Sequence, residues 1–271
     1  MTSLQYQLPD STETYSAKVD APSTKAKCGV LLGHGAGGDS ESGNLPRIAQ
    51  ALCEAGILCV RFDCKPPILA KRVAHAEACL LSAQKQLSVN VWIAAGHSMG
   101  ARVASSLAHA QPDLVIGAIF FSYPLHPPGK QDQLRDSPLV ELQQPVQFIH
   151  GTGDNFCDEK QFKAILKRMV SSRKEVYNVE GGDHSLKVKG GKAAAESAIT
   201  RAIKAAATFA KDLADNAPEE VRAVEAPPSP EEETGVRRSR RAKHPPKRKH
   251  DAGAEGPQHL TAAKSQKRKG A

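Results

Sequence analysis

Apolar residues in this chain follow two alternating rhythms. Short, nearly continuous apolar runs have the length and the bounded ends of buried strands: Lys27–Leu32, Ile57–Phe62, Asn90–Ala95, Val115–Phe121, Pro145–Ile149 and Lys174–Val179. Between them apolar residues recur three and four positions apart, the spacing of one helix face. One such face carries Leu45, Ile48, Ala49, Leu52 and Cys53, with Asn44 as the expected N-cap, Pro46 in the first turn and Gly56 as the stop. Pro66-Pro67 open a second helix, with Leu69, Val73, Ala76 and Leu80 in register. Met99, Val103 and Leu107 mark a third. From about Asp158 a fourth shows Phe162, Ile165, Leu166, Met169 and Val170, and the last carries Ile199, Ile203, Ala206, Phe209 and Leu213. Leu4–Leu8 and Thr14–Val19 read as edge strands.

Strands that are apolar throughout need cover on both faces. Alternation with helices then predicts an α/β fold, a mostly parallel sheet with helices on both sides and an antiparallel edge supplied by the N-terminal strands. The segment between Phe121 and Pro145 is short and rich in Pro, Gln and charge. It has no room for a cap domain, so the site should be open, with at most a short loop over it. The pattern stops after Leu213. A domain over 1–214 and a tail over 215–271 follow. The tail is Pro/Glu-rich and then Lys/Arg-rich, and such composition cannot bury enough surface to offset its ordering entropy.

Charge sharpens this division. The 271 residues carry a net +8, yet residues 236–271 alone hold 12 Lys/Arg against 2 Asp/Glu. The remainder is slightly acidic and has no electrostatic reason to seek nucleic acid. The basic runs Arg237–Lys243, Lys247–Lys249 and Lys267–Lys269 suit a nuclear import receptor, or salt-sensitive nucleic-acid contact without base readout. The start of the chain has no secretory pattern and no apolar run would span a bilayer, so an intracellular protein, nuclear or cytoplasmic, away from membranes, is expected. The six cysteines form no C-x-x-C pair and read as buried thiols. No histidine has a partner at metal-ligand spacing, and neither metal nor cofactor is expected.

The chemistry centres on Gly96-His-Ser-Met-Gly100, a G-x-S-x-G sequence between an apolar strand and a helix. A strand that turns directly into a helix leaves one residue, Ser98, at the apex with its hydroxyl clear of the sheet. The flanking glycines remove side chains that would strike the neighbouring backbone. A serine hydroxyl needs a base, and the base needs an orienting acid. In the hydrolases that this elbow resembles, the acid and then the base follow the serine along the chain, and the one histidine between position 150 and the basic tail is His184, just past the last strand. Asp154 and Asp158 both follow the preceding strand. Asp158 with Gln161 resembles a capping box, so Asp154, in the turn after His150, is the preferred acid. Asp183 adjoins His184 and reads as a surface residue. The oxyanion of an acyl-transfer intermediate would be held by the N–H groups of Met99 and of Ala36, in the loop His34-Gly-Ala-Gly-Gly38. His34, His97 and His150 flank the site as packing and hydrogen-bonding residues. No Gly-Lys-Ser/Thr follows the glycine loop, which excludes a phosphate-cradling P-loop.

The loop after His34, the elbow, His150-Gly-Thr-Gly-Asp154 and Gly182-Asp-His-Ser-Leu-Lys-Val188, in that order, resemble the α/β-hydrolases over about residues 25–213. More narrowly they resemble the branch holding testis-expressed protein 30 and subunit 3 of the NSL histone-acetyltransferase complex, with Asp183–Val188 the most distinctive stretch. Dienelactone-hydrolase-like proteins form the wider circle. Dienelactone hydrolases proper carry cysteine at the elbow where this chain has Ser98, so the resemblance does not carry their substrate over to this chain. The resemblance implies the same three residues, Ser98, Asp154 and His184. Two functions are then expected in competition: a serine hydrolase of a small acyl substrate, and a non-catalytic scaffold in a chromatin-associated assembly.

Overall fold

In the computed structural model, residues 2–87 and 89–217 are described. The expected tail therefore lies, from 218 onward and with its basic runs, outside the described residues. The chain runs β1 (Thr2–Gln7), β2 (Thr14–Asp20), β3 (Gly29–Gly33), α1 (Leu45–Glu54), β4 (Leu58–Phe62), α2 (Leu69–Gln86), β5 (Trp92–His97) and α3 (Met99–Ala110). It continues through β6 (Val115–Phe121), α4 (Ser137–Val140), β7 (Val146–Gly151), α5 (Glu159–Arg168), β8 (Lys174–Val179) and α6 (Lys192–Asp215). No described helix is long and apolar enough to cross a membrane.

The strands form one sheet in the order β1-β2-β4-β3-β5-β6-β7-β8. Pairings from β4 to β8 are parallel, and β1–β2 and β2–β4 are antiparallel. This is the predicted α/β architecture with its antiparallel edge. The apolar runs now have a physical reason. Successive side chains point to opposite faces, and each face has its own core. Leu31, Val60, Trp92, Ala94, Phe120 and Phe148 pack with α2, α3 and α5 on one side. Val30, Leu32, Ile93, Ala95, Ile119 and Ile149 pack with α1 and α6 on the other. In the edge hairpin, where Leu4, Tyr6, Ala17 and Val19 are buried, the pattern alternates because one face alone is covered.

Three local expectations change. Asn44 stands at the N-cap of α1, but its side chain makes no cap hydrogen bond, and Pro at the first helical positions sets the start instead. Pro66-Pro67 lie ahead of α2, which begins at Leu69; the Pro66 carbonyl accepts from Arg72 Nε at 2.7 Å. Val170 leaves the apolar face, because α5 ends at Arg168 and Met169 is already extended; Val170 is 62% exposed while Met169 is buried. Between β6 and β7 the four-residue α4 is the one helix among the described residues.

The topology fixes where a site can form. From β3 the chain crosses to β4 on one side, and from β5 to β6 on the other. The loops leaving the carboxyl ends of the adjacent strands β3 and β5 therefore diverge, and a crevice opens between them, where open α/β sheets bind ligands.

Candidate active site

Ser98 stands between β5 and α3, at the crevice, with φ +55° and ψ −115°. That backbone is strained for a residue with a side chain, at a typical cost of about 1–3 kcal/mol. It is held by its surroundings. The Ser98 N–H donates to the Phe121 carbonyl at 2.9 Å, while its own carbonyl accepts from Ala101 N–H at 3.0 Å. The elbow glycines act as the sequence implies. A Cβ on Gly96 would collide with the Gly100 backbone, and one on Gly100 with the Gly33 backbone. The helix can thus lie directly against the ends of β3 and β5.

The loops after β7 and β8 bring the other two residues to the serine. His184 Nε2 lies 2.8 Å from Ser98 Oγ, and its Nδ1 lies 2.7 Å from Asp154 Oδ2. The carboxylate can only accept, so Nδ1 carries the proton and Nε2 is left free to accept from the hydroxyl. The Asp154 side chain is fully buried and the imidazole is 21% exposed. Asp154 Oδ1 accepts from the Phe156 N–H at 2.9 Å, so both oxygens are engaged. Asp158 instead caps α5, its Oδ1 accepting from Gln161 N–H at 2.9 Å. The loops that carry Asp154 and His184 are stitched together directly. Gly153 N–H donates to Gly182 carbonyl at 2.9 Å and Gly181 N–H to Thr152 Oγ1 at 2.8 Å, across a backbone approach that a Cβ on Gly151 would prevent.

Sequence reasoning missed three contributors. Phe156 stacks on the His184 ring with centroids 4.1 Å apart and planes 27° off parallel, and an aromatic two residues past an acid carries no recognisable signal. Asp183 is exposed as expected, yet it folds the histidine loop: its Oδ1 accepts from Ser185 N–H at 2.8 Å and Lys187 N–H at 3.0 Å. Both partners are backbone N–H groups, which any side chains would supply, so no residue pattern announces this turn. Arg72, buried beneath the glycine loop, reaches the Gly35 carbonyl at 3.5 Å.

The flanking histidines are structural braces. His34 Nδ1–H donates to the Gly35 carbonyl at 2.7 Å and its Nε2 accepts from Cys64 N–H at 2.9 Å, which fixes a neutral tautomer and the start of the glycine loop. His97 Nε2–H donates to the His184 carbonyl at 3.0 Å and so ties the elbow to the loop that carries His184. Ala36 is exposed and lines the cavity beside Ser98; Met99 opens α3. Neither N–H has a backbone acceptor among the described residues. A Cβ on Gly35 would lie 3.5 Å from Ser98 Cβ, so the glycine loop borders the serine. No three His, Cys, Asp or Glu of the described residues gather as metal ligands.

Burial, first among the causes, holds His34, His75, His97 and His150 below the ordinary histidine value of 6.5. Above that value these groups are neutral whether the chain is folded or not. Below it the unfolded chain takes up protons that the folded chain resists, so stability falls as pH drops from 6.5 toward the depressed native values. The urea midpoint should therefore decline between about pH 7.5 and 5.5, before carboxylates begin to titrate. A midpoint that is flat over that interval would contradict burial of these rings in the neutral state.

A family model described as an alpha/beta hydrolase domain matches residues 26–211. The chain belongs to the α/β-hydrolase family. Solved structures of like fold include Est1E from Butyrivibrio proteoclasticus, 17% identical with TM-score 0.63 over 78% of this chain and 99% of that one. Thermogutta terrifontis esterase 2, in a form phosphorylated by paraoxon, is 17% identical with TM-score 0.63, covering 80% of this chain and 95% of that one. A dienelactone hydrolase from Anabaena variabilis is 16% identical with TM-score 0.59, covering 78% and 94%. At such identities the likeness is one of fold, and this α/β-hydrolase must be assigned its chemistry from its own residues.

Proposed function

We propose that this α/β-hydrolase is a serine hydrolase of carboxylic esters or related acyl compounds, with Ser98 as nucleophile, His184 as general base and acid, and Asp154 as the orienting acid. The observation that carries the reading is the unbroken hydrogen-bonded line from Ser98 Oγ through His184 to Asp154, at 2.8 and 2.7 Å. Ser98 Oγ attacks the acyl carbon as His184 Nε2 takes its proton. The oxyanion that forms is held by the N–H groups of Ala36 and Met99, which have no backbone acceptor of their own among the described residues. The intermediate expels the alcohol, which leaves with the proton from His184. Water then repeats the sequence on the acyl-serine and releases the acid.

The elbow glycines support this reading, since a Cβ on Gly96 or Gly100 would strike neighbouring backbone and move the serine from the end of β5. Within the family we place the chain in the branch of testis-expressed protein 30 and NSL complex subunit 3. That placement rests on Asp183–Val188, in which Asp183 folds the histidine loop and His184 to Lys187 line the cavity.

The direct test is covalent labelling with a fluorophosphonate. Ser98 Oγ should displace fluoride from phosphorus, and the adduct should map by mass spectrometry to the peptide containing Ser98. Absence of labelling at neutral pH in the folded protein would remove the catalytic reading and leave a scaffold.

A further inference from the structure

The cavity in front of Ser98 has a volume of about 660 Å³. Leu45 and Ile48 of α1, Phe121 at the end of β6 and Ile199 of α6 give it an apolar wall. Its charge is one-sided. No Asp or Glu lines it, and Lys187 is the one Lys or Arg that does. The nearest carboxylate along the chain, Asp183, accepts at Oδ1 from the backbone N–H groups of Ser185 and Lys187 and does not line the cavity. No ion pair of Lys187 occurs among the described residues.

The chain goes to some trouble to put this lysine there. Leu186 has φ +61°, one of three non-glycine residues with positive φ among those described. The turn is closed by Leu186 N–H to Asp183 carbonyl at 2.8 Å and Asp183 N–H to Lys187 carbonyl at 2.9 Å. Its result is a division of labour between neighbours: Leu186 is 3% exposed in the cavity wall, and Lys187 is exposed at the cavity's edge. The same turn carries His184, so the backbone from which Lys187 extends is held beside the serine's partner, and the flexible side chain lies at the edge of the cavity.

We infer that Leu186 and Lys187 are specificity-determining residues, and that the cavity takes an ester whose acyl group is an apolar chain ending in a carboxylate. This rests on the hydrolase reading above. The acyl half is the half concerned. The departing oxygen must face His184 Nε2 to receive its proton, and that imidazole is partly open to solvent. The other substituent on the carbonyl carbon is then directed along the apolar wall of Leu45, Ile48 and Leu186. A chain of a few methylenes lies against that wall, and its carboxylate meets the ammonium of Lys187. An acyl chain ending in a cation would meet the same charge and be refused.

The experiment compares three esters on the full chain: 4-nitrophenyl butyrate, the mono-4-nitrophenyl ester of glutaric acid, and the 4-nitrophenyl ester of 4-(trimethylammonio)butyrate. Uncatalysed hydrolysis of each ester is subtracted rather than used as a divisor, because the glutarate carboxylate attacks its own ester and raises that background. The carboxylate ester should exceed the neutral one, and the neutral one the cationic one, by roughly fivefold at each step, as suits a partly exposed charge pair. Added salt should narrow the spread. Lys187→Met should bring the three values together, and Lys187→Glu should reverse their order. Fluorophosphonate labelling of Ser98, run in parallel, separates the two readings. A wild-type protein that is folded, takes no label and turns over none of the esters overturns the hydrolase assignment and this inference with it. A protein that labels at Ser98 but shows no preference for the carboxylate, or a preference that survives both substitutions, overturns this inference alone.

Discussion

Ser98→Ala is expected to lower kcat for 4-nitrophenyl butyrate by about a million-fold, to a residue of activity owed to binding and oxyanion stabilisation. The size follows from the geometry. His184 Nε2 has Ser98 Oγ as its partner at 2.8 Å, and no other hydroxyl or thiol among the described residues bonds to it. Water could enter the space left by Oγ, but it would lack the placement that makes attack effectively intramolecular. The fold should survive. Alanine keeps a Cβ at φ +55°, so the backbone strain is unchanged, and one side-chain hydrogen bond worth about 1 kcal/mol is lost. Circular dichroism and the urea midpoint should therefore stay near the wild-type values while turnover vanishes. Turnover within tenfold of wild type would mean that the esterase chemistry belongs elsewhere on the molecule.

The fold was largely legible because its signal is repeated. Each central strand is apolar on both faces, and each main helix shows a stripe, so errors at one boundary do not move the whole. The errors that occurred lie where a single residue decides. Val170 has the right polarity for the α5 face, but the helix ends before reaching it. Asn44 has the right chemistry for a cap, but proline already fixes the turn. The meeting of Ser98, His184 and Asp154 was legible for a different reason. Topology delivers the ends of β5, β7 and β8 to one rim, so chain order alone narrows the candidates. What the sequence leaves out are contacts between loops: Phe156 lying flat on His184 and the Gly151 to Gly182 approach. Each depends on the relative placement of two segments, and no local periodicity encodes that. Asp183 illustrates the limit. Its exposure follows from its neighbours, whereas its role in folding the histidine loop appears only once Ser185 and Lys187 are seen to turn back toward it.

The choice between two aspartates after β7 gives the second large effect. Asp154→Asn is expected to lower kcat by about ten-thousand-fold with the fold intact, whereas Asp158→Asn should leave kcat within a few-fold. The buried Asp154 carboxylate accepts two hydrogen bonds, from Phe156 N–H at 2.9 Å and from His184 Nδ1–H at 2.7 Å. An asparagine has one accepting oxygen. If that oxygen stays with Phe156, the amide NH2 faces His184 Nδ1, and the ring must shift its proton to Nε2. Nε2 then points a hydrogen at Ser98 Oγ and cannot take one from it. If the amide turns over, its NH2 faces the Phe156 N–H in a fully buried pocket, donor against donor. That unsatisfied contact costs about 1–3 kcal/mol, so the first arrangement prevails and the wrong tautomer with it. At Asp158 the same substitution preserves an accepting oxygen for the Gln161 N–H, and asparagine caps helices about as well as aspartate. Single-turnover kinetics on the pair, with thermal melts beside them, decide the matter. A larger loss at Asp158 than at Asp154 would break the relay argument at its third member while leaving the serine and histidine in place.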